Sequence, residues 1–478
     1  MRVCVIGAGP AGITAAHALS KLGIAVEVFE ASAKVGGMAR SFDLWGQRVD
    51  LGPHRFFSTD PRVNRAWLEV MGTDYRMVAR QTRILYRNRL FDYPLKIGNA
   101  LANMGPVNAA RCLLSYGGAR IMAPRRTPVD TFEHWVVGRF GRRLFEMFFK
   151  SYSEKLWGIP CTELSADFAA QRIRGFSLGQ AVVSMLGWGR GGHRTLADLF
   201  AYPKAGNGEV YERMAASVLA AGGKLHLESP VGRVVTQAGR ATGVILHDGR
   251  FVACDHVVTT MPLTLMVQGL RDVPAEVTAA VSRLTFRNTI LVYLRIGRPD
   301  VFPDQWLYVH SPNLAMGRVT NFRNWAPDLH GTEAVSILAL EYWCNDEDAI
   351  WRESDEQLIA RAMAEIADAK LVDRAEIQMG KVKRVPRCYP VYTRDYAATL
   401  APVVAFLKTI PNLWPIGRYG SFKYNNQDHS ILMGLLVAEN IACGAAHDLW
   451  SVNSDDVYQE RAIITEQGLV TATAAQPV

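Results

Sequence analysis

Cysteine is sparse and unpatterned in this chain. Its 478 residues hold seven, an odd number, scattered and without a CxxC pair. Neither a disulfide framework nor a zinc site is expected, and no metal ligand set is assigned. Dense basic runs are missing too, since Arg125-Arg126 and Arg142-Arg143 are short; that argues against a nucleic-acid partner. No apolar run is long enough to span a bilayer. The richest, residues 431–446, is interrupted by Glu439, Asn440 and two glycines, so no transmembrane segment is expected. Repeats and low-complexity tracts do not occur. The opening MRVCVIGAGPAG reads as a strand and turn rather than a cationic leader, and the expectation is a reduced, cytoplasmic chain.

The composition is that of an ordinary globular protein, 49% hydrophobic and 21% charged, which excludes disordered, collagen-like and coiled-coil classes. The length predicts two or three domains. A net charge of +8 fits an anionic small substrate, an acidic surface or simple solubility, and does not choose among them.

The first forty residues carry the clearest local pattern. Arg2 to Ile6 reads as a short strand, Gly7-Ala-Gly9-Pro-Ala-Gly12 follows, Ile13 to Leu22 has helical periodicity, and Ala25 to Phe29 is a second strand ending at Glu30. Strand, GxGxxG, helix, strand and acid together form a dinucleotide-binding unit. The glycines allow a tight turn, close approach of a pyrophosphate and close packing of helix on strand. The helix start offers free N–H groups to phosphate. Glu30 stands where an acid accepts ribose hydroxyls.

The next residues separate the two dinucleotide classes. Val35-Gly36-Gly37-Met-Ala-Arg40-Ser41 resembles the second fingerprint of the FAD-dependent family that contains amine oxidases, protoporphyrinogen oxidase and phytoene desaturase. The resemblance implies that Gly37 passes close to the diphosphate of FAD and that Arg40 pairs with it. Further along, Glu209 to Ala221 is amphipathic. Segments 224–228, 232–237, 241–246 and 250–253, with a turn at Asp248-Gly249, read as a strand and a β-meander, and His256 to Pro262 as a returning strand. Phe132 to Phe149 reads as helical, and Thr289 to Arg295 and Ala334 to Tyr342 as strands.

A narrower likeness lies in the insertions. Phe132-Glu-His-Trp, the run Leu144 to Gly158 containing Tyr152 and Trp157, Val49-Asp-Leu-Gly-Pro-His54, Trp306-Leu-Tyr308 with Gly317-Arg318, Tyr389-Pro390, and Gly417-Arg418 through Tyr424 to Ser430 are similar, in order, to the UDP-galactopyranose mutase family. The likeness runs from residue 1 to about residue 442. It implies non-covalent FAD, active in its reduced form, and interconversion of pyranose and furanose forms of a nucleotide-diphosphate sugar through a flavin N5–sugar adduct. It assigns Arg318, Arg172 and His54 to catalysis, with Arg174 competing for the place of Arg172. It assigns Gly417, Arg418 and Gln427 to the flavin, beside Gly7, Gly9, Gly12, Glu30, Gly37 and Arg40. It gives Tyr152 and Trp157 to the nucleobase, and Tyr389, Tyr424 and Tyr342 to the diphosphate. The partners it implies are the nucleotide sugar and an external reductant, NAD(P)H being the candidate; a homo-oligomer is compatible with it.

Some residues depart from that family. Arg40 suits the amine-oxidase fingerprint better, Pro53 and Arg55 flank His54 unusually, and Gly187 to Arg194 has no counterpart and could form a lid or an anion site. An FAD oxidoreductase of the amine oxidase or protoporphyrinogen oxidase type therefore stays open, as does a flavoprotein fold kept as a scaffold. The expected fold is α/β, with a discontinuous Rossmann-like FAD-binding domain over 1–94, 203–275 and 405–455. A helical insertion over 95–202, a strand-rich antiparallel substrate domain over 276–404 and a tail over 456–478 complete the expectation.

Overall fold

The computed structural model describes residues 1–93, 97–122, 130–166 and 199–453, and two short strands, Ile463–Thr465 and Gly468–Val470. The chain divides into two compact units. The first comprises Met1–Val78, Thr195–Thr285 and Ala397–Val478; the second comprises Ala79–Arg194 and Phe286–Tyr396.

The first unit is built on β1 (Arg2–Ile6), α1 (Pro10–Lys21) and β2 (Ala25–Phe29). The strand Lys224–His226 pairs with β2, β2 with β1, β1 with His256–Thr259, and that strand with Leu413–Pro415, all in parallel. Val3, Cys4, Val5 and Ile6 are all buried, as expected where both faces of a parallel sheet are covered. Pro10 opens α1 at the position where a missing N–H costs nothing. The long helix Gln427–Cys443 packs along α1 and shares its core. The returning strand near residue 256 is where the sequence predicts it. The strand at 224–226 joins the parallel sheet, and the meander is Val231–Gln237, Arg240–Leu246 and Phe251–Ala253.

The second unit centres on a seven-stranded sheet. Its order is Ile377–Pro390, Phe286–Ile296, Ser336–Cys344, Arg318–Asn321, Trp306–Val309, Thr82–Tyr86 and Arg89–Asp92. Every pair is antiparallel except Trp306–Val309 with Thr82–Tyr86. Residues 82–92 thus belong to this sheet, so the boundary expected at 94 moves back to 78. The described helical residues after 97 share a unit with the strand-rich segment, instead of forming a separate insertion. The predicted helix over 132–149 is broken: Phe132–Phe140 ends at Gly141, whose φ of +83° suits a helix stop, and Arg142–Phe145, a π-turn Glu146–Lys150 and Ser151–Trp157 follow. One face of the sheet packs on the capped helix Asp355–Asp368 through Ile290, Val292, Leu340, Tyr342, Leu358 and Ala362.

A buried polar network ties the two-stranded hairpin Ser41–Leu44 and Gln47–Asp50 to the rest of the first unit. Asp50 is 1% exposed. It accepts from Ser41 Oγ at 2.5 Å, Tyr202 Oη at 2.8 Å and Asn207 N at 3.1 Å. Burial raises its pKa to about 6 from 3.8, although these donors pull the other way. Between roughly pH 4 and 6 the native state therefore binds more protons than the unfolded chain. This group's stabilisation is complete below the unfolded value and is lost as pH rises through about 6. The span corresponds to at most about 3 kcal/mol. The stability advantage of the parent over Asp50→Asn, measured by denaturant unfolding, is expected to shrink by up to that amount from pH 4 to pH 7. A difference that stays flat with pH would contradict the assignment.

Candidate functional site

In the first unit the chain leaves β1 through Gly7 and makes an abrupt turn into α1. A side chain on Gly12 would place its Cβ 2.0 Å from the Gly7 carbonyl oxygen, so glycine is the residue this contact admits. Gly9 and Gly37 face each other, and a Cβ on Gly37 would lie 3.0 Å from the Gly9 Cα. The loop after β1 and the second glycine turn are therefore pressed together, and Gly36 N donates to Ala8 O at 2.8 Å. No side chain caps the start of α1, which leaves its first N–H groups for an anion.

Glu30 sits at the edge of this loop. Its Oε2 accepts from Ala8 N at 2.7 Å, and its Oε1 accepts from Ser32 N at 2.9 Å and Ser32 Oγ at 2.7 Å. A carboxylate has about four acceptor positions, so capacity for a ribose hydroxyl remains. Arg40 is half-buried behind the glycine turn, and no carboxylate pairs with it among the described residues. An uncapped helix start, a cradle of backbone and a lone half-buried cation fit the pyrophosphate of a dinucleotide.

The C-terminal residues assigned to the flavin divide by role. Gly417 lies against Ala11 of α1, where a Cβ would come within 2.8 Å of the alanine methyl. Arg418 donates to Asn425 O at 3.0 Å and stacks 4.2 Å over the ring of Tyr424. The side chain of Gln427 is committed to the protein. Its nitrogen donates to Asn207 Oδ1 at 3.0 Å and Arg55 O at 3.3 Å, and its oxygen accepts from Tyr211 Oη. Both amide hydrogens are used within the protein, so Gln427 positions the segment bearing His54. His54 is half-buried on that segment, between Gly52 and the buried Phe56.

In the second unit the central feature is Arg318. Its Nε donates to Glu341 Oε1 and its Nη2 to Glu341 Oε2, each at 2.6 Å. Strand register causes this, because Arg318 and Glu341 are directly paired between neighbouring strands. Glu341 is 1% exposed. Burial disfavours the Arg318 charge, but the Glu341 carboxylate outweighs it and holds the guanidinium protonation well above its ordinary value. With one edge spent on Glu341, the outer edge remains, and Nη2 there lies 3.5 Å from Tyr389 Oη.

Aromatic rings surround the pair. Trp343 lies 6.0 Å under the Arg318 guanidinium, 5.6 Å from Tyr152 and 6.3 Å from Tyr389. Tyr152 is half-buried and stacks on His310 at 4.6 Å. Burial, with Lys155 nearby, pushes His310 down to about 3, so it is neutral. Trp157 is buried, stacks on Tyr392 at 6.1 Å and meets Tyr389 edge-on at 6.2 Å. One of its faces is therefore already covered by protein.

Arg318, Tyr389, Tyr152 and Trp157 thus come together within one unit. Tyr342 does not join them. Successive strand residues point to opposite faces, and Tyr342 packs with Ile290, Leu340 and Leu358 in the core beneath the sheet. Glu341 and Trp343 were not foreseen. The available signal was a lone carboxylate inside the fully buried strand Ser336–Cys344. Tyr424 belongs to the first unit with Arg418. Arg172, Arg174 and the segment Gly187 to Arg194 lie outside the described residues.

A family model described as flavin containing amine oxidoreductase matches residues 10–441. The probable UDP-galactopyranose mutase of Klebsiella pneumoniae is 27% identical over 175 residues, 34% of this chain and 43% of its own length. The zeta-carotene-forming phytoene desaturase of Myxococcus xanthus is 25% identical over 320 residues, 62% of this chain and 60% of its own length. The chain therefore spans less than two thirds of these two relatives. The solved structure of reduced UDP-galactopyranose mutase superimposes with a TM-score of 0.84 at 20% identity, covering 95% of this chain and 96% of that one. At that identity the likeness is one of fold. No described helix is long and apolar enough to cross a membrane. With residues 10–441 matched and a dinucleotide loop in place, the chain belongs to the flavin containing amine oxidoreductase family and is an FAD-binding flavoprotein.

Proposed function

We propose that the protein is a mutase that interconverts pyranose and furanose forms of a nucleotide-diphosphate sugar, with non-covalent FAD in its reduced form, in cytoplasmic carbohydrate biosynthesis. The observation that carries this reading is the Arg318–Glu341 pair with Tyr389 beside its outer edge. A simple amine without a carboxylate is a cation and has no use for a fixed cation and a phenol donor. A departing diphosphate needs both, because negative charge grows on it as the glycosidic bond breaks.

Reduced flavin, when bound, supplies a nucleophile toward the anomeric carbon. The chain's own residues do the rest. Glu341 fixes the guanidinium of Arg318, so its outer N–H groups are preorganised toward the leaving oxygens. Tyr389 adds a hydroxyl donor, and Tyr424 with Arg418 is the candidate for a second. Tyr152, half-buried against neutral His310, offers an aromatic face to a nucleobase. Trp157, stacked on Tyr392 and edge-on to Tyr389, is proposed with it for the nucleobase. Arg172 is proposed as a second cation, and NAD(P)H as the source of electrons. A second reading, an FAD oxidoreductase acting on a carbon–carbon or carbon–nitrogen bond, draws support from Arg40 and from the similarity to the desaturase over 62% of the chain.

Two outcomes test the proposal. Flavin bound to the purified parent is expected to pass into the supernatant on acid precipitation, and Gly9→Val is expected to purify without flavin, because its side chain fills the approach to the pyrophosphate. Colour retained on the pellet, or full flavin occupancy in Gly9→Val, would contradict the binding mode.

Arg318→Ala is a poor test alone, since it strands the buried Glu341 and is expected to cost about 3–5 kcal/mol of stability. The double variant Arg318→Met/Glu341→Gln removes both charges. It is expected to fold, keep flavin and lose roughly 10²–10³ in turnover of a UDP-hexose, or about 2.7–4 kcal/mol of transition-state stabilisation. Arg318→Lys is expected to fall between it and the parent. Turnover at the parent rate in the double variant would remove Arg318 from the site.

A further inference from the structure

Large apolar side chains exposed to solvent are mostly scattered singly over the described surface, as is ordinary. One helix of the second unit departs from this. Of the twelve such side chains among the described residues, four lie on Pro106–Met122: Val107 at 62% exposure, Leu113 at 56%, Leu114 at 77% and Ile121 at 87%. Val107, Leu114 and Ile121 recur every two turns, with Ala110 and Gly117 between them and Leu113 alongside, so they share one face. A Cβ added to Gly117 would meet nothing within 4 Å, so the middle of that face is uncovered by the described residues.

The opposite face is already packed. Cys112 is buried and clusters with Phe91, Met104 and Phe148, and Ser115 Oγ accepts from Arg143 N at 3.2 Å. The helix is held by this inner side, and the outer apolar side adds nothing to the core. A contiguous exposed apolar patch on an otherwise anchored helix is the mark of a surface that meets something else.

The charge around this face has one sign. From Tyr93 to Val129 there is no aspartate or glutamate, although the chain holds 45 of them. The same stretch contains Lys96, Arg111, Arg120, Arg125 and Arg126. Helical spacing puts position 111 at one edge of the apolar face and position 120 at the other. Arg111 is exposed and forms no ion pair among the described residues. An apolar face bordered by arginines suits a helix lying in a bilayer surface, with aliphatic side chains at the acyl boundary and cations at the headgroups. A second copy of the face is a poorer complement, because a two-fold contact would bring two acid-free, cationic surfaces together.

We propose that the outer face of Pro106–Met122 is a peripheral docking surface for a membrane with anionic lipid headgroups. The helix lies along the bilayer plane and does not cross it, since no described helix is long and apolar enough to span a membrane. Val107, Leu114 and Ile121 enter the boundary between headgroups and acyl chains, and Arg111 meets lipid phosphate. None of these residues is among those proposed to hold flavin or substrate, so the docking surface stands apart from the proposed activity.

The test is flotation of the FAD-loaded full chain with lipid vesicles. Vesicles of phosphatidylcholine mixed with phosphatidylglycerol are expected to carry the protein upward, and vesicles of phosphatidylcholine alone to carry roughly tenfold less, with added salt weakening the binding. Leu114→Gln/Ile121→Gln changes two exposed side chains, so it is expected to keep its fold and flavin and to bind mixed vesicles roughly tenfold more weakly. Arg111→Gln is expected to weaken binding severalfold, and Leu219→Gln, at an exposed position of the first unit, to leave it unchanged. Failure of the parent to float with mixed vesicles, equal flotation with phosphatidylcholine alone, or undiminished flotation of the double variant would overturn the proposal. So would a parent dimer in sedimentation that the double variant dissociates, since the face would then be a contact between copies.

Discussion

Gly12 resting on the carbonyl of Gly7 is the contact on which the flavin-binding unit depends. It lets α1 start immediately above the end of β1, with the helix axis aimed at the turn. The uncapped N-terminus, the facing of Gly9 on Gly37 and the placement of Glu30 against Ala8 all follow from that closeness. A methyl group at residue 12 would displace the helix and with it the core it shares with Gln427–Cys443. The requirement is local and steric, and for that reason it is visible in a short stretch of sequence.

The second unit is organised by a different constraint, a buried ion pair. Removing both charges from water is expensive, and the bidentate geometry of Arg318 on Glu341 offsets this while fixing the guanidinium plane. A free arginine would sample many rotamers. This one points its outer edge in a single direction, toward Tyr389. Preorganisation of this kind is what transition-state stabilisation requires, whichever anion the site receives.

Legibility in the sequence follows the range of the interactions. The β1–α1–β2 unit was readable because spacing, periodicity and glycines all lie within thirty consecutive residues. The pairing of Arg318 with Glu341 spans 23 positions and depends on strand register, so the local motif carries the arginine and not the acid. Tyr342 was misplaced for the same reason, since one step along the strand turns a side chain to the opposite face. Gln427 binds the backbone of Arg55 across 372 positions, and nothing local hinted that its amide was already spent. Residues 82–92 looked like part of the first unit by position, yet their partner strand lies near residue 306.

In the function proposed, flavin serves as a reagent regenerated in each cycle and not as an acceptor of substrate electrons. The most direct measurement is the number of product molecules formed per electron pair consumed, with dithionite-reduced protein under anaerobic conditions and a panel of nucleotide sugars, the products resolved by ring size. Many molecules of ring-size isomer per flavin reduction, and no oxidised sugar, are expected. Absence of ring-size isomers from the reduced protein, with oxidised protein in a parallel sample being reduced by the substrate to give one oxidised product per flavin and peroxide when oxygen is admitted, would contradict it.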